Sequence, residues 1–309
     1  MRKFHALLAL AFVSCSSSDV LVRRPPAPAP IVHGRLMVVG GGGTTPAMVA
    51  RMLELAGGKD ARIVILPQAS AQPDRGKGSL ELFAESGATN AIVLDPLEQA
   101  AAEKELESAA LIWFPGGDQS RLMAALDEAR LVDDVQRRYR QGAIVGGTSA
   151  GAAVMSPLML TGEADLESVR AGGTELVPGI GLWDEVIVDQ HFVRRQRWAR
   201  LASAVLDHPE FVGVGIDERT AVEVGDGAWR VWGEGSVVVF DARRARLAPA
   251  TAAALTATTA AGATNADGAS GTGGASTGGT STGAAPGEHP SAREIELSIL
   301  RDGDTFALR

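Results

Sequence analysis

Short apolar runs separated by helix-length segments constrain this chain more than any other feature. Arg35–Val39, Ile63–Leu66, Ala91–Leu94, Leu111–Phe114 and Gln141–Val145 read as strands without apolar–polar alternation, so both faces of each must be covered. The segments between them predict helices over 46–56, 79–86, 97–108 and 120–129, with 131–139 continuing the last. Pro46 suits a first helical turn, and Thr44 or Thr45 can cap it. This alternation predicts an α/β fold with a doubly wound, mostly parallel sheet. Ligands of such folds bind beyond the carboxyl ends of the strands.

The second half reads differently. Val186–Phe192, Val212–Ile216, Ala221–Val224, Ala228–Trp232 and Ser236–Phe240 are strands, with turns at Asp226-Gly227 and Glu234-Gly235 that predict an antiparallel extension. Residues 249–290 are almost wholly Ala, Thr, Gly and Ser, a composition that cannot bury a core and predicts a disordered insertion. Strand-like residues return in 291–309 and close the same domain, whose body is 34–248.

The first residues predict export. Arg2 and Lys3 precede an apolar run and then Cys15, so 1–14 resembles a lipoprotein signal with Cys15 as the lipidated residue. Ordinary secretory cleavage and an uncleaved start are the alternatives. Pro-rich residues 15–33 form a stiff tether. The expected location is secreted or cell envelope, with the membrane reached through a lipid anchor alone. A net charge of −8 argues against nucleic acid as partner. A single cysteine excludes an intrachain disulfide and a Cys-based zinc site. A homodimer is allowed by this reading but not required.

Three glycine-bearing turns follow predicted strands. Gly146–Ala152, with Ser149 at its centre, has the strand–turn–helix context of a nucleophile elbow, and the Ala150 amide points where an oxyanion forms. A phosphate loop and simple packing are the competing readings, the former weakened by the lack of G-x-x-x-x-G-K-[ST]. Pro115–Gln119 offers Gly117 as a second oxyanion donor and Gln119 for substrate, or is merely a turn capped by Asp118. Gly40–Gly43 fails as a dinucleotide fingerprint, because Thr45 stands where the third glycine belongs and no acid ends the second strand.

His191 ends a predicted strand and is the best-placed general base; His5, His33, His208 and His289 lie in worse positions. Its orienting carboxylate would come from the acidic stretch 157–178, unless Glu163, Asp165, Glu167 and Glu175 are only solvated. Arg194, Arg195, Arg197 and Arg200, read as lying on one helix, are either a solvated basic face or a carboxylate-binding cluster.

Phe114–Gln119, Gly147–Met155, Asp189–Phe192 with its arginines, and Gly215–Ala221 occur in one order. In this they resemble the cyanophycinase family of serine peptidases, relatives of peptidase E. The resemblance implies a fold similar to class I glutamine amidotransferases and a Ser-His-Glu triad of Ser149, His191 and Glu167, with Glu163 in reserve. It implies substrate-binding roles for Gln119, Arg195, Arg197, Arg200 and Glu218, supporting roles for Asp189 and Gln190, and no metal or organic cofactor. The implied substrate is cyanophycin, a poly-aspartate bearing isopeptide-linked arginines, cleaved through an acyl-enzyme to β-Asp-Arg. Other Asp-containing or β-aspartyl dipeptides are the alternative substrates, and a non-catalytic surface module is the remaining alternative.

Overall fold

The computed structural model describes residues 34–161, 168–248 and 291–308. The expected signal segment with Cys15, the tether, the insertion, and Glu163, Asp165 and Glu167 lie outside the described residues.

The first part of the chain runs β1 (Leu36–Val39), α1 (Pro46–Leu55), β2 (Ile63–Ile65), α2 (Lys77–Glu85), β3 (Ala91–Val93), α3 (Gln99–Ser108), β4 (Leu111–Phe114), α4 (Gln119–Glu128), α5 (Val132–Arg140), β5 (Ile144–Thr148) and α6 (Ala150–Ala153). Next come β6 (Leu158–Thr161), β7 (Glu175–Pro178), β8 (Val186–Gln190), α7 (Trp198–Asp207), β9 (Val212–Ile216), β10 (Thr220–Gly225), β11 (Ala228–Gly233) and β12 (Val237–Asp241). The last strands are β13 (Arg246–Ala248), β14 (Ser291–Arg293), β15 (Glu296–Leu300) and β16 (Thr305–Phe306).

Among the described residues the main sheet has eight strands in the order β16-β11-β10-β1-β5-β4-β2-β3. Its β1-β5-β4-β2-β3 part is parallel, and β10, β11 and β16 extend it antiparallel. Residues of β1, β2 and β4 are buried on both faces, as the unbroken apolar runs require. Helix α1 covers one face with Met48, Val49, Met52 and Leu53. Its start is held by Pro46 and by the Thr45 hydroxyl, which accepts from the Met48 amide at 3.4 Å.

Four of the later strands stand apart from the main sheet. β8, β9, β12 and β15 form a separate four-stranded sheet, in the order β15-β12-β9-β8. Only β8 and β9 are parallel in it. The chain passes from this sheet to the main one at Asp217–Arg219, where Arg219 takes a left-handed φ of 53° and turns β10 away from β9.

Smaller differences have local causes. The acidic stretch 157–178 contains the ribbon β6–β7, hidden from sequence because Glu175 and Pro178 interrupt its apolar pattern. A proline is tolerated at the end of such a two-stranded edge. Arg130, with φ 55°, separates α4 from α5. The helix after Ser149 is only four residues long. Arg194, Arg195 and Arg197 precede α7 rather than lying within it, so the four arginines do not share one helix as expected.

What those arginines do instead is tie α7 to β8. Asp189 is wholly buried and receives the Arg200 Nε at 2.9 Å, a second bond from Arg200 Nη2, and Arg197 Nη1 at 3.4 Å. Arg200 is itself buried, so the two charges rely on each other for solvation. Removing one partner strands the other. Arg200→Met should therefore cost about 3–5 kcal/mol in urea unfolding, and adding Asp189→Asn should restore most of it. A single variant within about 1 kcal/mol of wild type would show that the pair is not a structural tie.

Candidate active site

Strand register decides which loops meet. Parallel β1 and β5 align Val39 with Thr148, so Gly40 and Ser149 leave the main sheet side by side, and the Ser149 amide donates to the Val39 carbonyl at 3.0 Å. Beyond β5, Phe114 of β4 aligns with Gly147, which brings Pro115–Gly117 alongside the same turn. In the smaller sheet β8 and β9 align Gln190 with Ile216, so His191 and the Asp217–Glu218 loop emerge together.

Gly40–Gly43 joins the two groups. The His191 amide donates to the Gly40 carbonyl at 2.7 Å, and the Arg219 amide donates to the Gly41 carbonyl at 2.7 Å. Gly41 has φ 108°, and a side chain there would occupy the space of the His191 ring. At Gly42, φ is 67° and a methyl group would lie 2.6 Å from Glu218 Cβ. The glycine run that fails as a nucleotide fingerprint is thus the backbone wall against which imidazole and carboxylate are packed.

Ser149 occupies φ 53°, ψ −109°, a conformation costly for a residue with a side chain and typical of a nucleophile held at a sharp turn. Its Oγ lies 3.0 Å from His191 Nε2. On the far side of the ring, Nδ1 lies 2.8 Å from Glu218 Oε1. An ionised carboxylate only accepts, so Nδ1 carries the proton and Nε2 is left to accept from the serine hydroxyl.

Burial pushes the His191 pKa below its ordinary value, opposed by the Glu218 hydrogen bond and reinforced by the charges of Arg195 and Arg197. Glu218 is held below the usual glutamate range, first by its bond to His191 and then by Arg194 and Arg195 nearby. A neutral imidazole beside an ionised carboxylate is the state that a general base requires.

The third group is therefore a correction. The expected acid was Glu167, which lies outside the described residues, as does its reserve Glu163; the Nδ1 proton is already taken by Glu218. Glu218, expected to meet substrate, has its Oε1 committed to the ring. Its position after β9 was readable from sequence, but the pairing of β9 with β8 was not.

The expected substrate residues divide. Arg200 is buried on Asp189, and Arg197 is turned inward, its Nη1 donating to the Gln190 carbonyl at 2.7 Å and to Gln190 Oε1 at 2.5 Å. Burial pushes the Arg197 pKa down to about 10. Asp189 and Gln190 hold these two arginines. Arg195 alone of the three is exposed, its amide bonded to the His191 carbonyl at 2.9 Å. Gln119 is half-buried, and its Nε2 donates to the Leu160 carbonyl at 2.9 Å. Asp118 does cap α4, accepting from the Arg121 amide at 2.9 Å.

Ala150 opens α6, whose third and fourth amides, of Ala152 and Ala153, donate to the Ser149 carbonyl at 2.9 and 3.0 Å, while the Ala150 amide at its start has no intrahelical acceptor. Gly116 passes Ser149 so closely that a Cβ on it would lie 3.5 Å from the serine Cβ. Gly117 follows with φ 146°, its Cα face pressed on the Ala69 carbonyl.

A serine, histidine and carboxylate in hydrogen-bonded series at the strand ends of an α/β sheet define a serine hydrolase class of site. Residues 36–232 match Peptidase family S51, and the chain belongs to that family of serine-type peptidases. A cyanophycinase from Geminocystis herdmanii is 40% identical over 202 residues, covering 63% of this chain and 74% of that protein. One from Synechococcus elongatus is 42% identical over 196 residues, and the match spans 61% of each protein. The crystal structure of a peptidase from an acI-B1 Actinobacterium superposes with a TM-score of 0.55 at 24% identity, covering 69% of this chain and 92% of that one, a likeness of fold alone.

Two measurements test the geometry. Gly41→Ala should lower kcat/KM by about 100-fold with the fold intact by circular dichroism, since misplacing the base by an ångström is enough for that loss. The acid limb of kcat/KM should fall below the ordinary histidine value of about 6.5, because a base that resists protonation stays active at lower pH. A limb above that value would contradict the buried, neutral ring.

Proposed function

We propose that this chain is a serine exopeptidase acting on cyanophycin and releasing β-Asp-Arg dipeptides. The observation that carries the reading is the Ser149–His191–Glu218 series, at 3.0 and 2.8 Å, in a chain similar to cyanophycinases. Ser149 Oγ attacks a backbone aspartyl carbonyl while His191 Nε2 takes its proton. Glu218 holds the tautomer and stabilises the imidazolium that forms. The Ala150 and Gly117 amides receive the oxyanion, each donor worth roughly 3 kcal/mol. His191 then protonates the leaving amine, and water, activated by the same ring, releases the acyl group.

Arg195 is an exposed cation beside the base and takes the carboxylate of the bound residue. Arg197 and Arg200 act through it, by fixing the segment that carries it to Asp189 and Gln190. The binding roles first expected of those two become supporting ones.

The decisive assay incubates purified protein with insoluble cyanophycin and identifies soluble products by mass. β-Asp-Arg should appear with wild type and vanish with Ser149→Ala. Glu218→Gln should lose roughly 10³–10⁴-fold in kcat, as expected when a triad acid is neutralised. Glu167→Gln should remain close to wild type. Cleavage of small aspartyl dipeptides without release from the polymer would overturn the substrate assignment in favour of a peptidase E-like one.

A further inference from the structure

Glu218 orients the base, and its own place is set from behind. It lies on the loop that leaves β9 for β10, and 33% of its side chain is exposed, so packing alone does not hold it. The loop is instead bonded along its length to residues 234–236, the turn between β11 and β12. The Asp217 amide donates to the Ser236 carbonyl at 3.1 Å, and the Glu234 amide donates to the Arg219 carbonyl at 3.1 Å. The Arg219 guanidinium adds two bonds to the Glu234 carboxylate, at 2.7 and 2.5 Å. Between these attachments lies Glu218, whose carbonyl accepts from the Thr220 hydroxyl at 3.0 Å.

Thr220 opens β10 and is wholly buried. Its hydroxyl has one hydrogen, given to the Glu218 carbonyl, and its oxygen accepts the Gly235 amide at 2.8 Å. The side chain thus links the turn to the backbone of the acid. Its carbonyl accepts from the Gly40 amide at 2.9 Å, and the Gly40 carbonyl in turn receives the His191 amide. One residue is therefore bonded both to the acid and to the glycine run against which the base is packed. Valine would fill the same volume at this buried strand position without the cost of burying a hydroxyl.

We propose that Thr220 is a positioning residue for catalysis, its hydroxyl fixing the Glu218 backbone so that the carboxylate meets His191 Nδ1. This rests on the Ser149–His191–Glu218 series but not on the choice of substrate. Loss of the hydroxyl frees the Glu218 backbone and weakens the bond to the ring. That bond raises the His191 pKa against burial and against the charges of Arg195 and Arg197, so weakening it lets the pKa fall further. The acid limb of the rate profile then moves to lower pH while the plateau drops. A general loss of packing would lower the plateau and leave the limb in place.

The test reads the second-order rate at which a small fluorophosphonate modifies Ser149, a reaction that needs the base and its acid but not the natural substrate. Thr220→Val should slow labelling about tenfold and move the acid limb to lower pH, and Thr220→Ser should restore both. In a Glu218→Gln background, Thr220→Val should cost less than about twofold, since a residue acting through the carboxylate has nothing left to position. Gly235→Ala, whose methyl group would lie 2.7 Å from the Thr220 hydroxyl oxygen, disturbs the same bond from the other side. It should reproduce both effects even if Thr220→Val fails to fold. Labelling at the wild-type rate in both variants, an unmoved limb, a Thr220→Ser as slow as Thr220→Val, or equal losses in the two backgrounds would overturn the role. Wild-type protein that resists the reagent would instead refute the triad reading, and this inference with it.

Discussion

Two backbone hydrogen bonds carry the active site. Ser149 belongs to the eight-stranded sheet and His191 to the four-stranded one, and nothing in either sheet alone sets the distance between them. The bonds from the His191 and Arg219 amides to the Gly40 and Gly41 carbonyls close that gap. They place the imidazole and its carboxylate over the end of β1, one strand from the nucleophile. The glycines are part of the same constraint, since the ring and the Glu218 side chain fill the space where Cβ atoms would stand. Rigid positioning of this kind lets a base and a nucleophile from different sheets act as one unit.

A second constraint is electrostatic. A wholly buried aspartate would be expensive alone, and Asp189 is solvated by two arginines drawn in from the segment after His191. Their burial gives the backbone of that segment one conformation and leaves Arg195 outside. Burial lowers the His191 pKa first, with Arg195 and Arg197 adding to it, while Arg194 and Arg195 help the His191 bond keep Glu218 ionised. Asp189 thus bears on the catalytic ring through Arg197 without touching it.

Much of the architecture was legible in the chain. Uninterrupted apolar runs mark β1, β2 and β4 as doubly covered strands, and Pro46 and Asp118 mark helix starts. These are properties of a few consecutive residues. The ribbon β6–β7 was not legible, because a short edge pair does not need a continuous apolar pattern. The arginines illustrate the other kind of failure. Four of them in seven residues suggest a shared function, yet Arg200 faces the core and Arg195 faces solvent, a division set by where Asp189 sits.

Local chemistry was enough to determine that a serine stands on a tight strand-to-helix turn and that a histidine stands at the end of a strand. Both facts depend on turn residues and on side-chain period alone. Which carboxylate reaches the ring was decided only in three dimensions. Glu218 follows a strand whose partner is β8, and that pairing is a contact between distant segments that no spacing along the chain records. The physical reason is that backbone hydrogen bonds between strands are indifferent to sequence separation, so neighbours at the mouth of a site become neighbours only once the sheets have formed.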